Sequence, residues 1–67
     1  MNWLQIKGKW HEMKGELHQK WGELTHDDLA EIDGEMEALV GKIQQRYGKS
    51  KEQATKEVEQ WMADQKD

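Results

Sequence analysis

The sequence predicts an all-α fold, a small four-helix domain made of two duplicated helical hairpins. Three observations carry that prediction. Trp3, Ile6, Trp10, Met13, Leu17, Trp21 and Leu24 recur at spacings of 3, 4, 3, 4, 4 and 3, which lays one apolar stripe along a helix. Shifted by 26 positions, residues 1–22 fall on residues 27–48 with every apolar anchor preserved: Trp3 on Leu29, Ile6 on Ile32, Trp10 on Met36, Met13 on Leu39, Leu17 on Ile43, Trp21 on Tyr47. Glycines 8, 15 and 22 land on glycines 34, 41 and 48, so GELHQKWG and GKIQQRYG are two copies of one phrase. Finally, there is no proline and no alternating strand pattern of useful length.

Each helix can be justified in turn. The first is expected over residues 2–21, ending where Gly22 follows the last aromatic anchor. Thr25, with Asp27 and Asp28 behind it, reads as the cap of a second helix over 26–33. Gly34 separates that helix from a third over 35–47, and Gly8 is the corresponding break candidate in the first copy. Ser50 and Gln53 form a capping-box pair that opens a fourth helix over 51–64, burying Ala54, Val58, Trp61 and Met62. Gly22 and Gly48 read as left-handed C-terminal glycines. The interior glycines 8, 15, 34 and 41 cost about 0.5–1 kcal/mol each relative to alanine. They imply kinks, close helix crossings or a deliberately soft fold. Leu17, Trp21, Leu29, Ile32, Leu39, Ile43, Tyr47, Val58 and Trp61 are the expected core.

Size and composition bound the function. Sixty-seven residues form one domain, 1–67, with a small core. The absence of cysteine removes disulfides and thiolate zinc sites. MNWLQIKGKW has neither the apolar run nor the cleavage site of a secretory signal, and no apolar stretch is long enough to span a membrane, so the cytoplasm is the expected location. The net charge of −4 and mean hydropathy of −1.19 describe a strongly hydrophilic chain, yet it carries four tryptophans.

Candidate sites are few. His11 and His18 lie two helical turns apart, about 10.5 Å along the axis, too far to share an ion, and HEMKGELH lacks the second histidine of a zinc-protease helix. His26 falls in the cap region. No metal or cofactor is expected. Ser50 is read as a cap rather than a nucleophile. The acids Asp27, Asp28, Glu31, Asp33, Glu35 and Glu37 are read as a solvated face, without the desolvated pocket that acid–base catalysis needs. An enzyme is therefore not expected. Lys42, Arg46, Lys49 and Lys51 cluster near the end of the third helix and are the candidate phosphate contacts, although the neighbouring acid run opposes the field that a nucleic acid requires. Trp3, with only two residues before it, is the candidate protein-contact residue, expected to be more exposed than Trp21 or Trp61 and dispensable for folding. A protein partner or self-association is the expected mode of action.

The phrases KGKW, MKGEL, QKWGELTHDDL, LVGKIQQRYG and KSKEQATKEVEQW together resemble the CsbD-like family of small bacterial stress proteins, over nearly the whole chain from Asn2 to Trp61. The acidic EMEAL at 35–39 stands where the family carries lysines. The resemblance implies two orthogonally packed α-hairpins, as in SAM-like domains, and a part in general stress responses, with no catalytic residues to carry over. A hydrophilin-like protectant and a weakly nucleic-acid-binding helical module are the alternatives.

Overall fold

Capping boxes open three of the five helices. In the computed structural model, which describes residues 1–65, these are α1 (Trp3–Gly8), α2 (Trp10–Lys20), α3 (His26–Ile32), α4 (Met36–Tyr47) and α5 (Lys51–Asp64). Asn2 and Gln5 exchange hydrogen bonds at the start of α1, Thr25 and Asp28 at α3, and Ser50 and Gln53 at α5. Each box satisfies two amide donors that the first helical turn would otherwise leave open. No strand occurs among the described residues.

The expected helix over 2–21 is broken at Lys9 (φ −110°, ψ 23°), so there are five helices rather than four among the described residues. The Lys9 amide still donates to the Gln5 and Ile6 carbonyls, which closes α1 before α2 begins. Gly8, a poor helix former, sits beside the break. The change of direction lets α1 reach across the fold: the Trp3 indole Nε1 donates to the Gly34 carbonyl at 2.8 Å, and Lys7 Nζ donates to Glu35 at 2.8 Å. The short helix is thus pinned to the α3–α4 turn.

That turn is left-handed at two consecutive residues, Asp33 (φ 46°) and Gly34 (φ 81°). Only the second is a glycine, and a Cβ built there would meet Lys7 Cγ at 3.0 Å. Gly34 is therefore needed both for its dihedral and for the close approach of α1. Gly48 (φ 66°) ends α4 in the left-handed conformation expected of it. Gly22 does not. The chain leaves α2 through Trp21 (φ −120°, ψ 79°), and Gly22 has no positive φ. Trp21 folds inward to form a tilted pair with Trp61, ring centroids 5.8 Å apart, and that packing sets the helix end in place of a glycine cap.

The core joins all five helices. Ile6, Leu17, Leu24, Leu29, Leu39, Ile43, Ala54 and Val58 are fully buried, with Trp10, Met13, Trp21, Ile32, Val40 and Trp61 around them. Burying each large side chain contributes about 1.5–3 kcal/mol. Tyr47 departs from the expected core. It is only half-buried, because its hydroxyl turns outward to accept the Glu23 amide at 3.0 Å. Met62, also expected inside, is half-buried at the edge of α5. The principal packing contacts run between helices consecutive in the chain.

Candidate functional surface

Asp28 organises the polar side of the molecule. The sequence marks it as a solvated acid, yet it is 3% exposed. The Thr25 cap fixes its backbone, with the Asp28 amide donating to Thr25 Oγ1 and the Thr25 amide donating to Asp28 Oδ2, both at 3.1 Å. From α4, Arg46 Nε and Nη2 donate to the two carboxylate oxygens at 3.0 and 2.9 Å, a bidentate fork. Lys42, one turn earlier, lies 3.4 Å from Asp28 Oδ1 and also pairs with Glu31. The Arg46 guanidinium and the Thr25 amide hold the Asp28 carboxyl far below the usual carboxylate range, against the opposing effect of burial. Arg46 is raised in turn by Asp28, and Lys42 is raised chiefly by Glu31.

The candidate phosphate contacts divide accordingly. Lys42 and Arg46 are occupied by Asp28 and Glu31. Lys49 is bound to Glu57, lies 5.5 Å from the centre of the Tyr47 ring, and lowers the Glu57 carboxyl, which also accepts the Trp21 indole N–H at 3.2 Å. Lys51 alone among the four has no ion pair among the described residues. It stands beside a groove of about 400 Å³ between α4 and α5, lined by Met36, Glu37, Val40, Gln44 and Thr55. The structure therefore gathers Lys42 and Arg46 on one carboxylate and sends Lys49 and Lys51 elsewhere. It does not assemble the four into a phosphate cradle.

Trp3 is half-buried and more exposed than Trp21 or Trp61. It is nevertheless engaged: its ring tilts against Trp10 at 6.2 Å and its N–H is spent on Gly34. Its neighbour is the exposed one. Leu4, 78% exposed, is the large hydrophobic side chain the fold leaves outside. It points away from buried Ile6 on α1, and the periodic stripe, which skips position 4, gives no hint of it.

At the α2–α3 turn the His18 and His26 rings stack, centroids 5.2 Å apart and planes at 25°. His18 Nδ1 donates to the Leu24 carbonyl at 2.8 Å. These histidines stand eight positions apart on two different helices, so neither spacing nor periodicity could pair them. The Asp28 clamp did leave a trace. Lys42 and Arg46 are like charges at i and i+4, a repulsive pair on a helix unless an acid faces both.

No curated protein and no solved structure matches the chain. A family model described as CsbD-like matches residues 5–56, from α1 through the capping box and first turn of α5. The match takes in the Thr25–Asp28 box, the Asp28–Arg46 clamp and the left-handed Gly34 and Gly48 turns, and on it the chain belongs to the CsbD-like family, whose members are general stress-response proteins.

Proposed function

We propose that this protein is a non-enzymatic stress-response protein that acts in the cytoplasm by contact, through its helical surface, with another protein or a second copy of itself. The observation that carries the reading is Leu4. An apolar side chain 78% exposed, on a helix opened by its own capping box and pinned by Trp3 and Lys7, contributes little burial to the fold that holds it. Such a residue is free to serve as an interface anchor. With Lys42, Arg46 and Lys49 paired to the protein's own carboxylates, the basic cluster at the end of α4 is not assembled to receive a phosphate backbone. The duplicated hairpins, crossing orthogonally as in SAM-like domains, are part of this proposal.

The mean hydropathy of −1.19 favours a second reading, a hydrophilin-like protectant for which composition matters more than any surface. One experiment separates them. A bacterial strain lacking its own copy is complemented with the wild type, with Leu4→Ser, and with a shuffled sequence of identical composition, and survival under stress is scored. The contact reading expects Leu4→Ser to fold and melt as the wild type does yet fail to protect, and the shuffled chain to fail. Protection by the shuffled chain would establish the protectant instead. An amide NMR titration with duplex DNA tests the nucleic-acid module, and the contact reading expects no shifts.

A further inference from the structure

We propose that Leu4 docks into the α4–α5 groove of a second copy of this chain, which returns its own Leu4 to the first, so that two copies form a weak reciprocal dimer. This rests on the contact reading of Leu4 and names its partner. Leu4 is the large hydrophobic side chain left exposed among the described residues. The groove is its apolar complement, about 400 Å³, with Met36 and Val40 contributed by α4 and Thr55 by α5. An apolar cavity of about 150 Å³ already accepts a benzene ring, so the groove has room for a leucine side chain and part of the turn that bears it. Docking removes apolar surface from water on both partners.

The fold sets the two halves of this contact beside each other. Trp3 and Lys7 hold α1 against Gly34 and Glu35, and the next residue, Met36, is the first to line the groove. The helix that carries Leu4 and the end of the groove are therefore neighbours. A two-fold axis between them lets each copy give and receive the same contact, which closes the assembly at two.

Charge favours a second copy as the occupant. Each copy has a net charge of −4, so two copies repel unless opposite charges meet at the contact. Residues 1–11 hold Lys7 and Lys9 and no acid, whereas residues 31–37, which lead into the groove, hold Glu31, Asp33, Glu35 and Glu37 and no base. Lys9 and Glu37 are exposed, and neither side chain has an ion pair among the described residues. The same complementarity already holds Lys7 to Glu35 within one molecule. A nucleic acid or an anionic lipid surface drawn to these lysines would meet the acids beside them. One turn of helix in one groove, made twice, is a small interface, below about 1,200 Å², and implies a dissociation constant on the order of 0.1–1 mM.

Sedimentation equilibrium on untagged full-length protein between about 0.05 and 2 mM should show that monomer–dimer equilibrium. Leu4→Ser removes the docking side chain, and Thr55→Lys puts a charged chain across the groove. Both sites lie outside the buried core, so both variants should melt close to the wild type. Each should raise the dissociation constant about tenfold or more. Isotope-labelled Leu4→Ser, whose groove is intact, is then titrated with unlabelled Thr55→Lys, whose Leu4 is intact. Its Met36, Val40 and Thr55 amide NMR signals should shift, and they should stay still when unlabelled Leu4→Ser is added instead. A wild type that stays monomeric, a dimer that Thr55→Lys leaves unchanged, or groove signals that do not move in the mixed titration would overturn the assignment. If the protein is monomeric yet Leu4→Ser still fails to protect cells, the second copy is refuted and another protein meets Leu4. Protection by Leu4→Ser refutes the contact reading itself.

Discussion

Gly15 and Gly41 occupy the middle of α2 and α4, exposed, with nothing within 4 Å of the position a Cβ would take. Replacing both with alanine should therefore stabilise the domain. The gain is the intrinsic helical difference, about 0.5–1 kcal/mol per site and about 1–2 kcal/mol for the pair. An unfolding entropy of about 2.1 cal/mol/K per residue gives about 0.14 kcal/mol/K for a chain of this length, so the melting temperature should rise by about 7–14 °C. Gly34→Ala is the counterpart. It asks a non-glycine residue to hold φ 81° with its Cβ 3.0 Å from Lys7 Cγ. The left-handed strain alone costs about 1–2 kcal/mol, and the Lys7 side chain must shift slightly to make room, so the melting temperature should fall by a similar interval. Calorimetry or chemical denaturation on the three variants reads all of this. A loss of stability in Gly15→Ala or Gly41→Ala would mean the open faces are not open, because another chain or a different packing occupies them. A neutral Gly34→Ala would refute the left-handed turn. The same proteins address function: if the stabilised double variant still protects cells, helix softness is not what the glycines are kept for.

Acid should act through Asp28. Its carboxyl is held down in the folded state, so the stability it supplies is fully present above its ordinary value of 3.8 and is lost as pH falls below it. Melts between pH 7 and pH 2 should show that decline, and Asp28→Asn, less stable at neutral pH, should show a weaker one. A parallel decline in both proteins would remove Asp28 from the explanation. Arg46→Ala should destabilise more than Lys42→Ala, since Arg46 supplies the bidentate fork and Lys42 a longer contact shared with Glu31; equal effects in urea titrations would contradict that ordering. Trp3→Ala should cost about 1–3 kcal/mol, less than a fully buried tryptophan but well above a surface change, because it removes the Trp10 contact and the bond to Gly34. An unchanged melting temperature would restore Trp3 as a side chain free for a partner.

The readings that hold are those whose cause is local. Ser50 and Gln53 are three residues apart and cap the helix they start, so α5 runs over the expected 51–64. Thr25 announces α3 in the same way, Gly34 divides α3 from α4, and Gly48 is left-handed where α4 must stop and turn. Gly22 occupies the equivalent place in the repeat but escapes the rule, because Trp21 finds Trp61 from α5, a helix outside the duplicated segment. Tyr47 shows the same asymmetry: it aligns with buried Trp21, but a phenol has a hydroxyl to satisfy and Glu23 offers an amide.

What the sequence hides depends on pairs far apart along it. Thr25, three residues earlier, marks Asp28 as a capping-box acid, but nothing near it marks it for burial, and along the chain both it and Asp27 read as first-turn acids on a polar face. Arg46, 18 residues away, decides between them, because α3 and α4 pack so that only Asp28 faces the guanidinium. That choice also determines what the surface can do. A basic cluster read near the end of α4 suggests a phosphate site, whereas its first two members, Lys42 and Arg46, are partners of one buried carboxylate. The charge that remains outside is mostly acidic, and the exposed apolar contact is Leu4, off the periodic stripe. Ala54, Val58 and Trp61 of α5 complete the core from outside the repeated segments. The contact surface instead rests on a residue that the repeat does not explain: Leu4, whose counterpart Ala30 is too small to anchor a contact.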